Sequence, residues 1–256
     1  MVWTIPASTS LHIKPLAVAV VTGASSGIGA ELVRQLQARG TKVVGLSRRP
    51  STADEHELCD VSDRQSVRDA ADRVLGRHPS IDLLVNNAGV AARGNYLDAD
   101  PDRIEQVMQT NYFGSVWTTL AFLSGLAAGS HVVNVVSVAG TVAIGPYSAS
   151  KHAQLAFSRA TSASLRTRGI RVHTVNPGFV ETEGFPQRSV LRSAFFRRAV
   201  LDAEDVAGHI AGLVGEAPRE TTIPRWYRWP GVLQALAPNV TARLIARRGG
   251  MYRRPG

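Results

Sequence analysis

The chain has 256 residues, 44% of them hydrophobic and 19% charged, with a formal net charge of +9 at pH 7. This length and apolar content are typical of one α/β domain with a large core. No stretch reaches about 18 uninterrupted apolar residues, so a transmembrane helix is not predicted. Much of the excess charge lies in residues 225–256, which contain seven arginines and no acidic residue. A basic tail without an aromatic-interleaved patch on the body argues against nucleic-acid binding.

The only cysteine, Cys59, cannot form an internal disulfide bond. The first residues also lack the basic segment and apolar run of a signal peptide. We therefore expect a reducing, cytoplasmic setting. No metal site is predicted.

Residues 1–15 show no clear period and are predicted to form a loosely attached arm. An apolar run at 17–21 predicts the first strand, which opens into a glycine-rich loop and then a helix that ends at Gly40. Further strands are predicted at 43–46, 57–61, 81–86, 131–137, 170–176 and 221–224. Further helices are predicted at 67–75, 101–125, 147–168 and 203–214.

This alternation predicts the fold class, which is α/β with a single doubly wound (Rossmann-type) parallel β-sheet and helices on both faces. One domain is expected at 16–224, because no repeat or linker interrupts the pattern before residue 220. Residues 225–256 then form a basic, apolar C-terminal extension.

The loop after the first strand contains Gly23, Gly27 and Gly29. Glycines between a strand and a helix permit a tight turn and the close approach of a pyrophosphate, which the helix N-terminus attracts. The spacing GxxxGxG differs from the usual GxGxxG dinucleotide fingerprint. Taken alone, the loop is equally typical of a simple turn.

The end of the second strand predicts which nicotinamide cofactor is bound. An acidic residue that holds the ribose 2′-hydroxyl of NAD is absent from 32–53. Ser47, Arg48 and Arg49 stand there instead, and a guanidinium fork with a hydroxyl suits a 2′-phosphate. The sequence therefore favours NADP(H) over NAD(H). The alternative is that Arg48 and Arg49 are solvated loop charges.

Several motifs occur together in a familiar order. They are TGASSGIG (22–29), Asp60-Val61, NNAG (86–89), Asn111, Ser137, YSASK (147–151) and NPGFVET (176–182). In this combination the chain resembles the short-chain dehydrogenase/reductase family in its classical form, over about residues 15–224. The resemblance implies a dinucleotide-binding catalytic domain, and homo-oligomers such as a homodimer or homotetramer are expected.

The resemblance implies four catalytic residues. Tyr147 would exchange a proton with the substrate oxygen, and Ser137 would hold that oxygen by a hydrogen bond. Lys151 lies one helical turn after Tyr147, and its positive charge would lower the phenol pKa from its usual value near 10. Asn111 would help to position a water through which Lys151 exchanges protons. Each residue alone has an ordinary alternative, such as a surface pair, a turn cap or a solvent-facing amide.

The same resemblance implies the cofactor contacts. Asp60 would hold the adenine, although an aspartate before a helix is also a routine N-cap. Thr182 would reach the carboxamide or the pyrophosphate. The full predicted set is Gly23, Ser25, Ser26, Gly27, Ile28, Gly29, Ser47, Arg48, Arg49, Asp60, Val61, Asn87, Ala88, Gly89, Tyr147, Lys151, Pro177, Gly178, Val180 and Thr182.

Three segments depart from the family pattern or vary with the substrate. Nine residues separate Ser137 from Tyr147, fewer than in most classical members, and this loop forms a wall of the substrate pocket in the family. Phenylalanines in the segment before residue 203 suggest a hydrophobic substrate, although lid or core packing explains them equally well; they are Phe185, Phe195 and Phe196. The extension replaces the usual terminal strand and glycine turn.

Apolar residues in the extension recur near helical spacing, interrupted by Pro238 and flanked by tryptophans and arginines. They are Val232, Leu233, Leu236, Val240 and Leu244. This pattern suits a helix lying on an anionic membrane surface. It also suits packing on the domain or on a partner subunit, which is the preferred interpretation.

We expect an NADP(H)-dependent oxidoreductase that acts on a carbonyl or secondary alcohol of a lipophilic small molecule. One alternative is a catalytically idle NADP-binding regulator on the same fold. The other is a membrane-surface interaction protein led by the extension, and peripheral membrane contact would then accompany the cytoplasmic location.

Overall fold

The computed structural model describes residues 16–92, 96–97, 99–183, 200–213 and 219–248. The predicted arm at 1–15 and the three phenylalanines Phe185, Phe195 and Phe196 lie outside these ranges. Val214, the predicted end of one helix, also lies outside them.

In the described ranges, nine strands form one large sheet and one small strand pair. They are β1 (Val18–Thr22), β2 (Lys42–Ser47), β3 (Glu55–Leu58), β4 (Ile81–Asn86), β5 (Leu126–Val135), β6 (Arg171–Pro177), β7 (Phe179–Val180), β8 (Val200–Leu201) and β9 (Glu220–Ile223). The large sheet has the order β3-β2-β1-β4-β5-β6-β9, and all its neighbouring strands are parallel. The strand order reverses between β1 and β4, which places a crevice there at the carboxyl ends of the strands.

Helices lie between strands, and the last two helices follow β9. They are α1 (Gly27–Gln37), α2 (Arg64–Arg77), α3 (Pro101–Met108), α4 (Gly114–Ala121), α5 (Pro146–Arg166), α6 (Ala203–Gly212), α7 (Arg228–Leu236) and α8 (Pro238–Arg248). A π-helical segment, Gln109–Phe113, joins α3 to α4, and 3₁₀ turns occupy Val138–Thr141 and Arg225–Tyr227. In the described ranges, no helix combines the length and apolar character needed to cross a bilayer.

The core consists of two apolar clusters, one on each face of the sheet. Ala19 and Val21 of β1 join a cluster with α1 and α6, whereas Val20 joins a cluster with α2 on the other face. A strand whose successive side chains are all buried must be covered on both sides. The predicted doubly wound parallel fold is therefore confirmed.

Several predicted boundaries are wrong, and β5 begins at Leu126 rather than at residue 131. The helix predicted at 101–125 is three segments, because the chain widens into π-helical turns at Gln109–Phe113, and α4 ends at Ala121. The strand predicted at 57–61 is β3 at Glu55–Leu58. Asp60 lies past its end in a turn, where its carboxylate accepts from Ser62 N at 2.9 Å and Ser62 Oγ at 2.6 Å. This short-range bonding removes Asp60 and Val61 from the sheet.

The C-terminal extension contacts the domain through the side of α7 that carries Gly231. A Cβ on Gly231 would lie 2.5 Å from Thr141 Oγ1, so α7 closely approaches the 3₁₀ turn Val138–Thr141. Tyr227 is buried, and a Cβ on Gly178 would lie 2.4 Å from its ring. The extension thus covers chain segments that directly follow β5 and β6.

Candidate active site

The glycine loop after β1 is a tight turn that side chains would block. Gly23 and Gly27 have φ values of +66° and +55°, in the left-handed region that glycine favours. A Cβ on Gly29 would lie 2.2 Å from Gly23 O. The structure therefore gives a steric reason for glycine at all three positions.

The loop rests on the segment that follows β4. Thr22 Oγ1 accepts hydrogen bonds from Asn87 N and Ala88 N, both at 3.0 Å. Asn87 Nδ2 donates to Thr22 O at 3.0 Å, and a Cβ on Gly23 would lie 2.9 Å from Ala88 Cα. Asn87 and Ala88 thus support the glycine loop, and their predicted contact with the cofactor stays a prediction. Sequence reasoning missed Thr22, whose only signal is its place between the strand and the first glycine.

The start of α1 provides an open cradle. Ser26 occupies the N-cap position in extended conformation, and its hydroxyl makes no capping bond among the described residues. A Cβ on Gly27 would lie 3.1 Å from Thr182 Cγ2, so Thr182 borders the same opening. Ser25 is partly exposed there, and Ile28 packs against the core behind the loop. These residues fit the pyrophosphate of a dinucleotide, which helix N–H groups and glycine backbone can approach closely.

The three residues that end β2 have different environments. The Ser47 hydroxyl is buried, donates to Arg49 O at 2.7 Å and lies 3.2 Å from His56 Nε2. Its single proton is therefore used within the turn, and its predicted bond to a phosphate would require it to rotate. Arg48 Nη1 lies 3.9 Å from Asp60 Oδ2, and Arg49 Nη2 lies 3.6 Å from Glu183 Oε2.

Asp60 and Val61 lie beside this cationic end of β2. Asp63, not Asp60, is the N-cap of α2, since its side chain accepts from Gln65 N. The N-cap alternative for Asp60 is therefore wrong. Val61 is buried, and a Cβ on Gly114 would lie 2.9 Å from Val61 Cγ2. Contact of Asp60 and Val61 with an adenine stays a prediction.

Ser137 and Tyr147 meet where β5 gives way to α5. Ser137 Oγ accepts from Ala139 N at 3.1 Å, so this hydroxyl also caps the 3₁₀ turn. A hydrogen bond joins the side chains of Ser137 and Tyr147. Pro146 occupies the first turn of α5, where a missing N–H costs nothing. The short loop between Ser137 and Tyr147 thus places the phenol next to the serine hydroxyl.

Lys151 is buried one turn further along α5, as predicted. Its Nζ lies 5.8 Å from the centroid of the Tyr147 ring. The ammonium donates to Val135 O at 3.1 Å and to Gln154 Oε1 at 2.8 Å. Desolvation by burial lowers the Lys151 pKa to about 7.

The predicted lowering of the Tyr147 pKa does not occur in this arrangement. Desolvation of the phenol raises its pKa to about 12, and the hydrogen bond with Ser137 only partly opposes this rise. The reason is that burial disfavours the phenolate, while the Lys151 ammonium bonds to other groups. The tyrosine hydroxyl is therefore protonated, which is the form that donates a proton.

Asn111 lies in the π-helical segment and is fully buried. Its Oδ1 accepts from Val90 N at 2.8 Å, and its Nδ2 donates to Ser150 Oγ at 3.0 Å. A Cβ on Gly89 would lie 3.3 Å from Asn111 Oδ1 and 3.7 Å from Lys151 Nζ. Asn111 therefore joins the loop after β4 to the helix that carries Lys151, and its predicted role in holding a water stays a prediction.

The segment after β6 forms the remaining wall. Pro177 O lies 3.5 Å from Ser137 Oγ, which donates to it, and Gly178 packs against the Tyr227 ring. Val180 is buried in the β7–β8 pair. These residues and Thr182 follow β6 at the carboxyl end of the sheet, and their contact with the cofactor stays a prediction. Within the described ranges, the histidines, cysteine and acids form no group of three or more that could hold a metal ion.

Comparisons with known proteins agree with this geometry. The family model for short chain dehydrogenases matches residues 17–189. Dehydrogenase/reductase SDR family member 7B of Xenopus tropicalis is 31% identical over 93% of this chain and 87% of its own length. The Bos taurus protein of that name is 34% identical, but the match covers 65% of this chain and 58% of the relative. Farnesol dehydrogenase of Aedes aegypti is 33% identical over 79% of this chain and 91% of its own length.

Solved structures show the same fold. A short-chain dehydrogenase from Burkholderia cenocepacia in complex with NADP is 27% identical, with a TM-score of 0.77 over 89% of this chain and 97% of that one. A short-chain dehydrogenase from Streptomyces avermitilis is 25% identical, with a TM-score of 0.74 over 91% of this chain and 97% of that one. Together with the converging serine, tyrosine and lysine, these matches show that the chain belongs to the classical short-chain dehydrogenase/reductase family, oxidoreductases that use a nicotinamide cofactor on small alcohols and carbonyls.

Proposed function

We propose that this protein is an NADP(H)-dependent oxidoreductase that interconverts a carbonyl group and a secondary alcohol of a lipophilic small molecule. The observation that carries the proposal is the meeting of Ser137, Tyr147 and Lys151 beside the glycine loop. The two hydroxyls are hydrogen-bonded, and the ammonium lies 5.8 Å from the phenol ring.

The chain's own residues manage the proton and the charge on the substrate oxygen. The nicotinamide, when bound, supplies or accepts the hydride. In reduction, the Tyr147 hydroxyl gives its proton to the developing alkoxide, and Ser137 holds that oxygen by a hydrogen bond. In alcohol oxidation Tyr147 takes the proton back. The Lys151 ammonium favours the phenolate that exists between these steps, because opposite charges attract strongly in a partly dry site.

The preference for NADP(H) rests on Arg48 and Arg49. Both are exposed at the end of β2, the strand next to the glycine loop. Asp60 lies 3.9 Å from Arg48, too far for a strong hydrogen-bonded pair, so the guanidinium keeps donors for a phosphate. The relative whose solved structure contains NADP supports the same choice.

A lipophilic substrate is supported by the apolar surroundings of the site. Phe179 and Ile144 are exposed large hydrophobic side chains. Phe179 lies next to Gly178, and Ile144 lies in the loop between Ser137 and Tyr147. One relative is named farnesol dehydrogenase. An apolar rim of this kind favours an apolar substrate over a sugar or an amino acid.

Replacing Tyr147 tests the enzymatic proposal. Tyr147→Phe removes only the hydroxyl, and kcat for NADPH-dependent reduction of medium- and long-chain aldehydes and ketones should fall by about 10²- to 10⁴-fold. Tyr96→Phe is the matched control, because Tyr96 is an exposed tyrosine with no predicted catalytic or cofactor-binding role. Unchanged turnover in Tyr147→Phe would contradict the mechanism. Wild-type protein that binds NADPH but turns over no member of the panel would favour the idle regulator.

A membrane-surface role of the extension is a second candidate, favoured by the direction of its apolar residues. Trp229 is 60% exposed and Leu236 is 80% exposed, although α7 touches the domain with its opposite side at Gly231. Val232, Leu233, Val240 and Leu244 are also exposed. An apolar stripe that points away from the domain needs an apolar partner, which counts against packing of this stripe on the domain itself.

The charge beside the stripe favours an anionic lipid surface as that partner. Arg225, Arg228 and Arg243 flank it, and no acidic residue occurs after Glu220. The Arg228 guanidinium lies 5.2 Å from the centre of the Trp229 ring. Tryptophan and arginine together are typical of helices at the lipid headgroup level. Binding of the full chain to vesicles tests this surface.

Location and assembly also belong to the proposal. We propose a cytoplasmic location, peripheral to a membrane, because the single cysteine, Cys59, cannot form an internal disulfide bond. We expect a homodimer or homotetramer, which light scattering of the purified protein would show.

A further inference from the structure

Gln154 is a buried amide in direct contact with the lysine of the site. It lies on α5, three residues after Lys151, and its side chain is 0% exposed. Its Oε1 accepts a hydrogen bond of 2.8 Å from Lys151 Nζ. The other bond given by this ammonium to the protein goes to Val135 O at 3.1 Å. Both acceptors are neutral, and among the described residues Lys151 belongs to none of the ion pairs.

A second hydrogen bond fixes the orientation of the Gln154 amide. Its Nε2 donates to Ser115 Oγ at 2.8 Å, and Ser115 Oγ donates to Asn111 O at 3.1 Å. Because the amide nitrogen has this partner, the carbonyl oxygen must face the ammonium; the reversed amide would place two donors against each other. The chain of bonds also joins Lys151 to the backbone of Asn111.

Because both acceptors are neutral, each hydrogen bond that Lys151 donates helps to stabilise its protonated form. A buried ammonium without a carboxylate partner is stabilised by the dipoles that accept its hydrogens, and losing one acceptor favours the neutral amine. An amide oxygen holds the cation in place without cancelling its charge. A carboxylate at the same position would form an ion pair and weaken the field of the ammonium at Tyr147.

We propose that Gln154 is a positioning residue that holds the Lys151 ammonium at the site and controls how readily this amine carries a proton. The proposal deepens the proposed function, because Lys151 acts on Tyr147 in that mechanism. In this proposal Gln154 acts through Lys151, which it contacts directly.

The lysine content of the chain makes a direct measurement possible. Only three lysines occur, Lys14, Lys42 and Lys151. Protein labelled with ¹³C at lysine Cε should therefore show three signals by NMR, and the Lys151→Arg variant identifies one of them. Titration of that signal in the full chain, without cofactor, reports the pKa of Lys151 independently of turnover.

Two replacements should move the Lys151 pKa in opposite directions. Gln154→Met keeps the length of the side chain but removes the acceptor, so the pKa should fall by about one unit relative to wild type. Gln154→Glu keeps an acceptor and adds a negative charge, so the pKa should rise by at least as much. A glutamine that only fills space would leave the Lys151 pKa unchanged in Gln154→Met, so the fall in this variant is the diagnostic shift.

Ser158→Ala is the matched control on the same helix. Ser158 is also fully buried, and it bonds to Asn134 Nδ2 at 2.9 Å and Thr174 Oγ1 at 2.7 Å rather than to Lys151. Its replacement should lower thermal stability and leave the Lys151 titration unchanged. Circular dichroism at each pH establishes that the compared variants are folded.

Activity provides a separate outcome. In Gln154→Met, kcat for alcohol oxidation near pH 7 should fall about tenfold, and its acid limb should move to higher pH because phenolate loses its cation. The proposal would be overturned if the Lys151 pKa in folded Gln154→Glu lay within about 0.3 unit of the wild-type value. If Gln154→Met does not fold, the measurement on Gln154→Glu alone decides. If the Lys151 pKa shifts in the Gln154 variants but the wild-type protein shows no turnover, the role of Gln154 is retained and the proposed function is rejected.

Discussion

At the scale of single residues, the surroundings of the catalytic side chains determine their pKa values. Tyr147 and Lys151 are both desolvated, and burial moves their pKa values apart, to about 12 and about 7. Each shift favours the neutral form. Positive charge from a bound oxidised nicotinamide would favour the phenolate, so we expect the pH profile of alcohol oxidation to differ from the titration of the free protein.

Arg48 carries the first prediction at this scale. Arg48→Ala should weaken NADPH binding by about tenfold, roughly the strength of one charge-assisted hydrogen bond at a site that is 65% exposed. NADH binding should change little, because NADH has no 2′-phosphate. Fluorescence titration with both cofactors measures the two affinities.

The control for this experiment is Arg166→Ala, which removes an exposed arginine from the last turn of α5. It should change neither affinity. Equal losses for NADPH and NADH in Arg48→Ala would show that the arginine serves the loop rather than the phosphate.

At the scale of elements, the wall of the site depends on how α7 meets the turn after β5. Ser148 Oγ donates to Ala139 O at 2.8 Å, and Thr141 Oγ1 donates to Val138 O at 2.7 Å, so the turn is bonded both to α5 and within itself. Gly231 allows α7 to approach this turn. The extension therefore supports the same short loop whose length departs from the family pattern.

Gly231→Ala tests that support. The added Cβ would lie 2.5 Å from Thr141 Oγ1, so the helix or the threonine must move. We expect a loss of about 1–3 kcal/mol in the free energy of unfolding and a raised KM for the lipophilic substrate. Denaturant titration and steady-state kinetics measure both.

Gly212→Ala at the end of α6 is the control, since an added Cβ there meets no atom within 4 Å. It should leave both quantities near their wild-type values. If the two alanine variants behave alike, α7 does not support the wall of the site.

At the scale of the whole molecule, charge and apolar surface are unevenly distributed. Among the described residues, Arg225, Arg228 and Arg243 lie in the same extension as the outward apolar stripe, so the extension combines two features that attract an anionic bilayer. The same extension contacts the turn Val138–Thr141, which follows Ser137. A lipophilic substrate dissolved in a membrane would thus meet the protein near its site.

Vesicle binding tests the membrane surface. The full chain should sediment with phosphatidylcholine vesicles that contain phosphatidylserine, and added salt should weaken this binding. Replacing Trp229 and Leu236 together by serine should abolish it. Leu58→Ser is the control, because Leu58 is 66% exposed on β3, outside the extension.

Two outcomes would contradict that proposal. Vesicle binding that survives the double replacement would place the contact elsewhere. Absence of binding, with self-association that the double replacement removes, would show that a second copy of the chain covers the stripe.

The amino-acid sequence alone determined the alternation of strands and helices, the doubly wound fold class, the family and the motif positions of Ser137, Tyr147 and Lys151. These properties follow from local periodicity and from short motifs, because buried strands and phosphate-binding turns require particular residues at particular spacings. The boundaries at the π-helical segment and at β3 were not predictable, since hydrogen bonds of Asn111 and Asp60 decide them.

Only the tertiary structure decided which groups surround those motifs. Asp60 faces Arg48, Gln154 and Val135 hold Lys151, and the stripe on α7 and α8 points outward. Each of these arrangements depends on the direction of a side chain or on contacts between separate elements, which spacing along the chain does not specify. Burial, likewise a property of the folded chain, raises the Tyr147 pKa where the sequence predicted a fall.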